Sequence, residues 1–96
     1  MYKYRVYVHG TGKTLIVDKE SYLVIARYNQ TWYVFDTISG LMIGCGFPKK
    51  NQAILFLNGI VENLDWMGRE RDGKTPILTD SEIQFIEEFH VVCLNL

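Results

Sequence analysis

The segment His9-Gly10-Thr11-Gly12-Lys13-Thr14 follows an alternating run and carries the end of a phosphate-cradling pattern. In G-x-x-x-x-G-K-[ST], backbone N–H groups wrap the phosphates, the lysine reaches the outer ones, and a helix begins at once. The first glycine of that pattern falls on Tyr7, and the residues that follow are Leu15-Ile16-Val17. Their β-branched character disfavours the required helix. The segment therefore reads as a glycine hairpin turn followed by a lysine. Four other side chains could do chemistry: His9, Cys45, His90 and Cys93. A structural zinc takes four ligands in paired spacings, which these do not offer. On a strand, His90 and Cys93 would point to opposite faces, so a Cys–His nucleophilic pair would need the fold to create it. Asp80 and Glu82 open a segment whose acids suit a helix N-terminus, with Glu87 and Glu88 further along. The expectation is a protein that is not an enzyme, with no metal and no cofactor.

The elements that would position these groups follow from periodicity. Residues 2–9 alternate as a half-buried strand, and residues 14–17, 22–28, 31–36 and 41–46 read as four more, separated by Gly, Asn and Thr/Ser-rich turns. Together they predict an antiparallel meander of about five strands. Pro48 suits the first position of a helix over residues 48–67, with Gly68 as its C-terminal cap. Residues 68–76 form a polar loop. Thr79 and Glu82 match a capping box that opens a short second helix to about Glu88. Residues 90–96 are apolar on both faces and read as a buried final strand. The fold class expected is α+β, a single domain over 1–96, with the meander packed against one long helix.

Ninety-six residues with 48% hydrophobic and 22% charged side chains describe an ordinary globular domain. A formal charge of −1 is too neutral for a general nucleic-acid binder or a heavily acidic DNA mimic. The charges are unevenly divided. Residues 1–50 hold seven Lys/Arg against three Asp/Glu, and residues 51–96 hold three against eight. That split predicts a basic sheet side and an acidic helical side. No export signal or membrane-length apolar run is visible, so the expected compartment is cytoplasmic, with Cys45 and Cys93 as reduced core thiols.

Three surfaces stand out as partner-binding candidates. At 100° per residue, Ala53, Ile54, Phe56, Leu57, Ile60, Val61, Leu64 and Met67 share the core face of the first helix. Leu55, Gly59 and Trp66 fall on the other side. They read either as an apolar strip for a partner or a second copy, or, for Trp66, as a satellite core under the following loop. Lys3, Arg5, Tyr7, Arg27 and Tyr33 would share the open face of the sheet, where all six tyrosines lie within the first 33 residues. Arg69 and Arg71 belong to the polar loop, the third candidate.

Two resemblances bear on function. Thr31-Trp32-Tyr33-Val34-Phe35-Asp36, Gly40, Gly44-Cys45-Gly46 and Lys49-Lys50-Asn51-Gln52-Ala53-Ile54 together are similar to the hairpin-plus-helix of HicB-like antitoxins. Ile38-Ser39-Gly40-Leu41 stands where that family has a Pro-Gly-Cys turn. In kind rather than motif, the chain resembles the short, aromatic-rich α+β proteins of phages and mobile elements, which include anti-CRISPR inhibitors. The second resemblance implies a protein-binding inhibitor of a host-defence nuclease complex, acting by occluding a surface on a larger host protein or ribonucleoprotein. The first implies a toxin-neutralising or nucleic-acid-binding regulator using the basic sheet face.

Overall fold

The computed structural model describes residues 2–8, 13–19, 23–66 and 68–96, and for residues 2–8 and 13–19 only the backbone and its pairing. β1 (Tyr2–Val8) and β2 (Lys13–Lys19) form an antiparallel pair, from Tyr2 opposite Lys19 to Val8 opposite Lys13. A second sheet has the order β3 (Leu23–Tyr28), β4 (Thr31–Asp36), β5 (Met42–Phe47). The fold class is α+β, but the five strands do not make one meander. They divide into sheets of two and three strands. Alternation locates a strand, but only hydrogen bonding to a neighbour assigns it to a sheet. The turn expected over residues 10–12 lies outside the described residues.

The β3–β4 turn is Asn29-Gln30, both at positive φ (49° and 62°). That is the conformation a tight two-residue hairpin takes to match strand twist. Between β4 and β5 the register shifts: Val34 pairs with Ile43, yet Trp32 pairs with Phe47. The slack sits at Gly44-Cys45-Gly46. Gly44 has φ +67°, and a Cβ there would lie 3.1 Å from Phe56 Cζ and 3.4 Å from His90 Cδ2. Only a glycine supplies that backbone while allowing both rings so close.

α1 (Lys50–Asn63) is shorter than the helix expected over residues 48–67, and Pro48 precedes it. Lys49 is the N-cap, and its N–H donates to Gln52 Oε1 at 3.3 Å. At the other end Leu64 turns extended, with φ −125° and ψ 133°. Gly68 is therefore not the cap; its N–H donates to Asp65 Oδ1. The chain leaves the helix early because Trp66 is directed back to the sheet. Residues 71–76 form a small hairpin rather than a plain loop, with β6 (Arg71–Asp72) paired to β7 (Thr75–Pro76).

α2 (Asp80–Leu94) is as substantial as α1. Its capping box is the expected one: Glu82 N–H donates to Thr79 Oγ1, and Thr79 N–H to Glu82 Oε1. It does not stop near Glu88, and residues 90–96 are not a strand. Ile86, His90 and Cys93 recur at helical spacing and are its buried line. Valine's helix penalty of well under ~1 kcal/mol per residue is small beside burying that face.

One core joins these elements: Leu23, Val34, Ile43 and Phe47 from the sheet meet Ala53, Phe56 and Ile60 of α1 and Ile86 and Cys93 of α2. At its centre Phe47 lies 4.5 Å from His90 and 5.3 Å from Phe56, centroid to centroid. Gln52 is buried within it and donates Nε2–H to the carbonyls of Leu94 and Leu96, tying the start of α1 to the end of α2. Among the described residues no helix is long and apolar enough to cross a membrane.

Candidate functional site

Asp36 ends β4 and is 1% exposed. One carboxylate oxygen accepts from Ile38 N–H at 2.8 Å, an Asx turn that starts the β4–β5 connection. The other accepts from Arg71 Nη1 at 2.7 Å and from the Trp66 indole N–H at 3.3 Å. A buried carboxylate needs such partners, since leaving it unpaired costs several kcal/mol. Arg71 also donates to Lys74 O at 2.9 Å and so braces its own hairpin. Arg69 makes a two-pronged pair with Glu82, Nη1 to Oε1 at 2.9 Å and Nη2 to Oε2. Glu82 is held below the ordinary carboxylate range, chiefly by the Thr79 backbone N–H, with the Thr79 hydroxyl and the Arg69 charge adding to it. The stretch between the helices is thus fastened to the sheet by Arg71 and to α2 by Arg69.

Asp36 also lines an open cleft of about 270 Å³. Its apolar lining comes from Leu41, Met42 and Ile43 at β5, from Ile83 and Ile86 of α2, and from Trp66, Pro76 and Leu78 between the helices. Met42 and Ile83 stay 44% and 42% exposed as its lips. Its two titratable lining groups are both carboxylates: Asp36, already neutralised by Arg71, and the exposed Glu87. A concave apolar site with few polar groups is the commonest form of a binding pocket.

The residues expected to bind partners are placed very differently from one another. Trp66 is only 4% exposed and belongs to the core. Gly59 is also buried, beneath the Phe89 ring, and a Cβ there would fall 2.0 Å from Phe89 Cε2. Leu55 remains exposed, so the Leu55–Gly59–Trp66 strip does not exist as a surface for a partner or a second copy. The helix angle was sound for Leu55. It failed for Gly59 because α2 packs on that side, and for Trp66 because the helix ends before it. Ile54 and Val61, expected against the sheet, are exposed for the same reason, and Met67 lies outside the described residues.

Arg27 and Tyr33 do not share a face. Arg27 is paired with Trp32 and Tyr33 with Ala26, so the pleat sends them to opposite sides. Arg27 instead lies 5.9 Å from the Trp32 ring centroid, with Lys50 Nζ 5.5 Å from the same centroid. Lys3 and Arg5 lie on β1, and their side chains, like that of Tyr7, lie outside the described residues. Arg69 and Arg71 are not free loop cations, being spent on Glu82 and Asp36. Over residues 51–96 the exposed charges are consequently one-sided. Glu62, Asp65, Glu70, Asp72, Asp80, Glu87 and Glu88 face solvent against Lys74.

His90 and Cys93 share the buried face of α2 rather than diverging. His90 Nε2 lies 3.1 Å from Gly46 O; a carbonyl only accepts, so Nε2 carries the proton. Burial pushes the Cys93 thiol up, away from the reactive thiolate. Cys45 is exposed, not a core residue, and both cysteines are free. Among the described residues no three His, Cys, Asp or Glu side chains converge as metal ligands.

The sequence reading missed the cleft. Its clue was Ile83, which continues the Ile86–His90–Cys93 line toward the start of α2 yet stays exposed, but that line is visible only once the second helix runs to Leu94. Against this geometry, no family model, no curated protein and no solved structure matches the chain.

Proposed function

We propose that this protein is a non-enzymatic protein-binding module, an inhibitor of a host-defence nuclease complex of the anti-CRISPR type, acting by occluding a surface on a larger partner. The observation that carries this reading is the open apolar cleft with exposed lips, whose one exposed titratable lining group is the Glu87 carboxylate. Machinery that handles nucleic acid presents basic surfaces, and an acidic surface with an apolar anchor complements them. The polar groups in and near the site support the same reading. Asp36 in the lining and Glu82 outside it are engaged by arginines, and the buried His90 by a backbone carbonyl, so each holds structure.

The test is affinity capture from host-type lysate by the wild type and by Ile83→Asp, with mass-spectrometric identification and circular dichroism to verify folding. A large protein or ribonucleoprotein held by the wild type and lost by the folded variant supports the inhibitor. Equal capture by both refutes a role for the cleft side. An antitoxin-like or nucleic-acid-binding regulator is the alternative, favoured by the Arg27–Trp32–Lys50 cluster. It predicts retention of nucleic acid alone, released between about 50 and 200 mM salt.

A further inference from the structure

The cleft's shape and charge restrict what can occupy it. An apolar cavity of about 150 Å³ already accepts benzene, while sites for drug-sized molecules run from about 300 Å³ upward and cover most of the ligand. At about 270 Å³ and open to solvent, this cleft has room for one aromatic or branched aliphatic side chain. It would leave a free small molecule largely wet. Its lips extend the apolar surface outward at Met42 and Ile83, which only a larger body carrying that side chain would cover.

The electrostatics select further. Asp36 is satisfied from Arg71, Trp66 and Ile38, so it requires no cation from the ligand. Glu87 lines the cleft, is exposed, and has no cation paired with it among the described residues. An anionic group entering here would meet the Glu87 carboxylate; a lysine or arginine would meet a partner.

We propose that this cleft seats an apolar side chain of a partner protein, presented beside a lysine or arginine that pairs with Glu87. The inference rests on the protein-binding reading above and names the chemistry that the partner must display.

The experiment is a ¹³C-methyl NMR titration of the intact protein, observing Met42, Ile83 and Ile86. The probes are capped tripeptides with a central leucine between two lysines, two glutamines or two glutamates, with phenethylamine as a free amine, each to about 10 mM. The expected result is saturable shifts at these methyls, tightest for the lysine peptide and weakest for the glutamate one. Glu87→Gln should reduce the lysine-over-glutamine preference about twofold to fivefold, the size of one exposed ion pair. Three outcomes overturn the proposal: methyls silent to every peptide, shifts with phenethylamine alone, or no loss of charge preference in Glu87→Gln. If the peptides leave the cleft silent while lysate capture still succeeds and depends on Ile83, the protein-binding reading stands and the anchor falls. If the peptides bind as expected while capture fails, the anchor stands and the nuclease-complex partner falls.

Discussion

Gly59 offers a test in which two well-sized effects oppose each other. In an exposed helix, Gly→Ala stabilises by roughly 1 kcal/mol, because alanine loses less backbone freedom on folding. Gly59 is instead buried where α1 meets α2, and an added methyl would sit 2.0 Å from Cε2 and 2.3 Å from Cζ of Phe89. The ring has to move. It stacks at 5.6 Å on Phe85 and 5.7 Å on Phe56, each contact worth about 0.5–1.5 kcal/mol, and overpacking itself costs about 1–3 kcal/mol. Steric cost exceeds propensity, so Gly59→Ala should destabilise by about 1–2 kcal/mol, a fall of about 4–16 °C in Tm. In a Phe89→Ala background the obstruction is gone, and the same substitution should stabilise by about 1 kcal/mol. Urea denaturation followed by the fluorescence of buried Trp66 measures all four proteins. A change of the same sign in both backgrounds would refute the packing argument.

Four further outcomes are expected. Asp36→Asn should cost about 3 kcal/mol by stranding Arg71, and the double variant Asp36→Asn/Arg71→Met should lose at least about 1 kcal/mol less than the two single losses combined, by denaturant midpoints. Glu82 has a depressed folded-state pKa, so its contribution is complete above the ordinary value of 4.5 and fades as pH falls through the lower folded value. Acid titration should therefore unfold the wild type more steeply below pH 4.5 than Glu82→Gln. A thiol reagent at pH 8 should modify Cys45 promptly and Cys93 only after denaturant is added, as their exposures dictate. Gln30→Gly should stabilise by roughly 0.5–1 kcal/mol, since glycine occupies φ 62° without strain; no gain in thermal melting would sink that reading of the turn.

Much of the local structure was legible in the residues themselves. Strand alternation placed β3 and β4 closely, Asn29-Gln30 marked their turn, and Thr79 with Glu82 marked the start of α2, because each is set by neighbours a few positions away. The end of α2 was not, since the Val91-Val92 pair favours a strand locally and is overridden by packing of His90 and Cys93 against the sheet. The first helix was overextended for the complementary reason: Leu64 and Met67 continue the apolar period, but the chain turns extended at Leu64 and the Trp66 indole finds its acceptor on Asp36, thirty positions earlier.

The amino-acid sequence by itself determined the α+β class, the hairpin and capping chemistry, and the division of charge between the two halves. Only the tertiary structure decided which charges remain free. The arginines at 69 and 71 look like loop cations in the chain, yet the fold pairs each with a carboxylate of another element, which leaves Lys74 as the exposed cation of residues 51–96. The cleft was decided in the same way. Its walls come from β5, the hairpin segment and α2, whose approach is set by burying a shared core rather than by any local pattern.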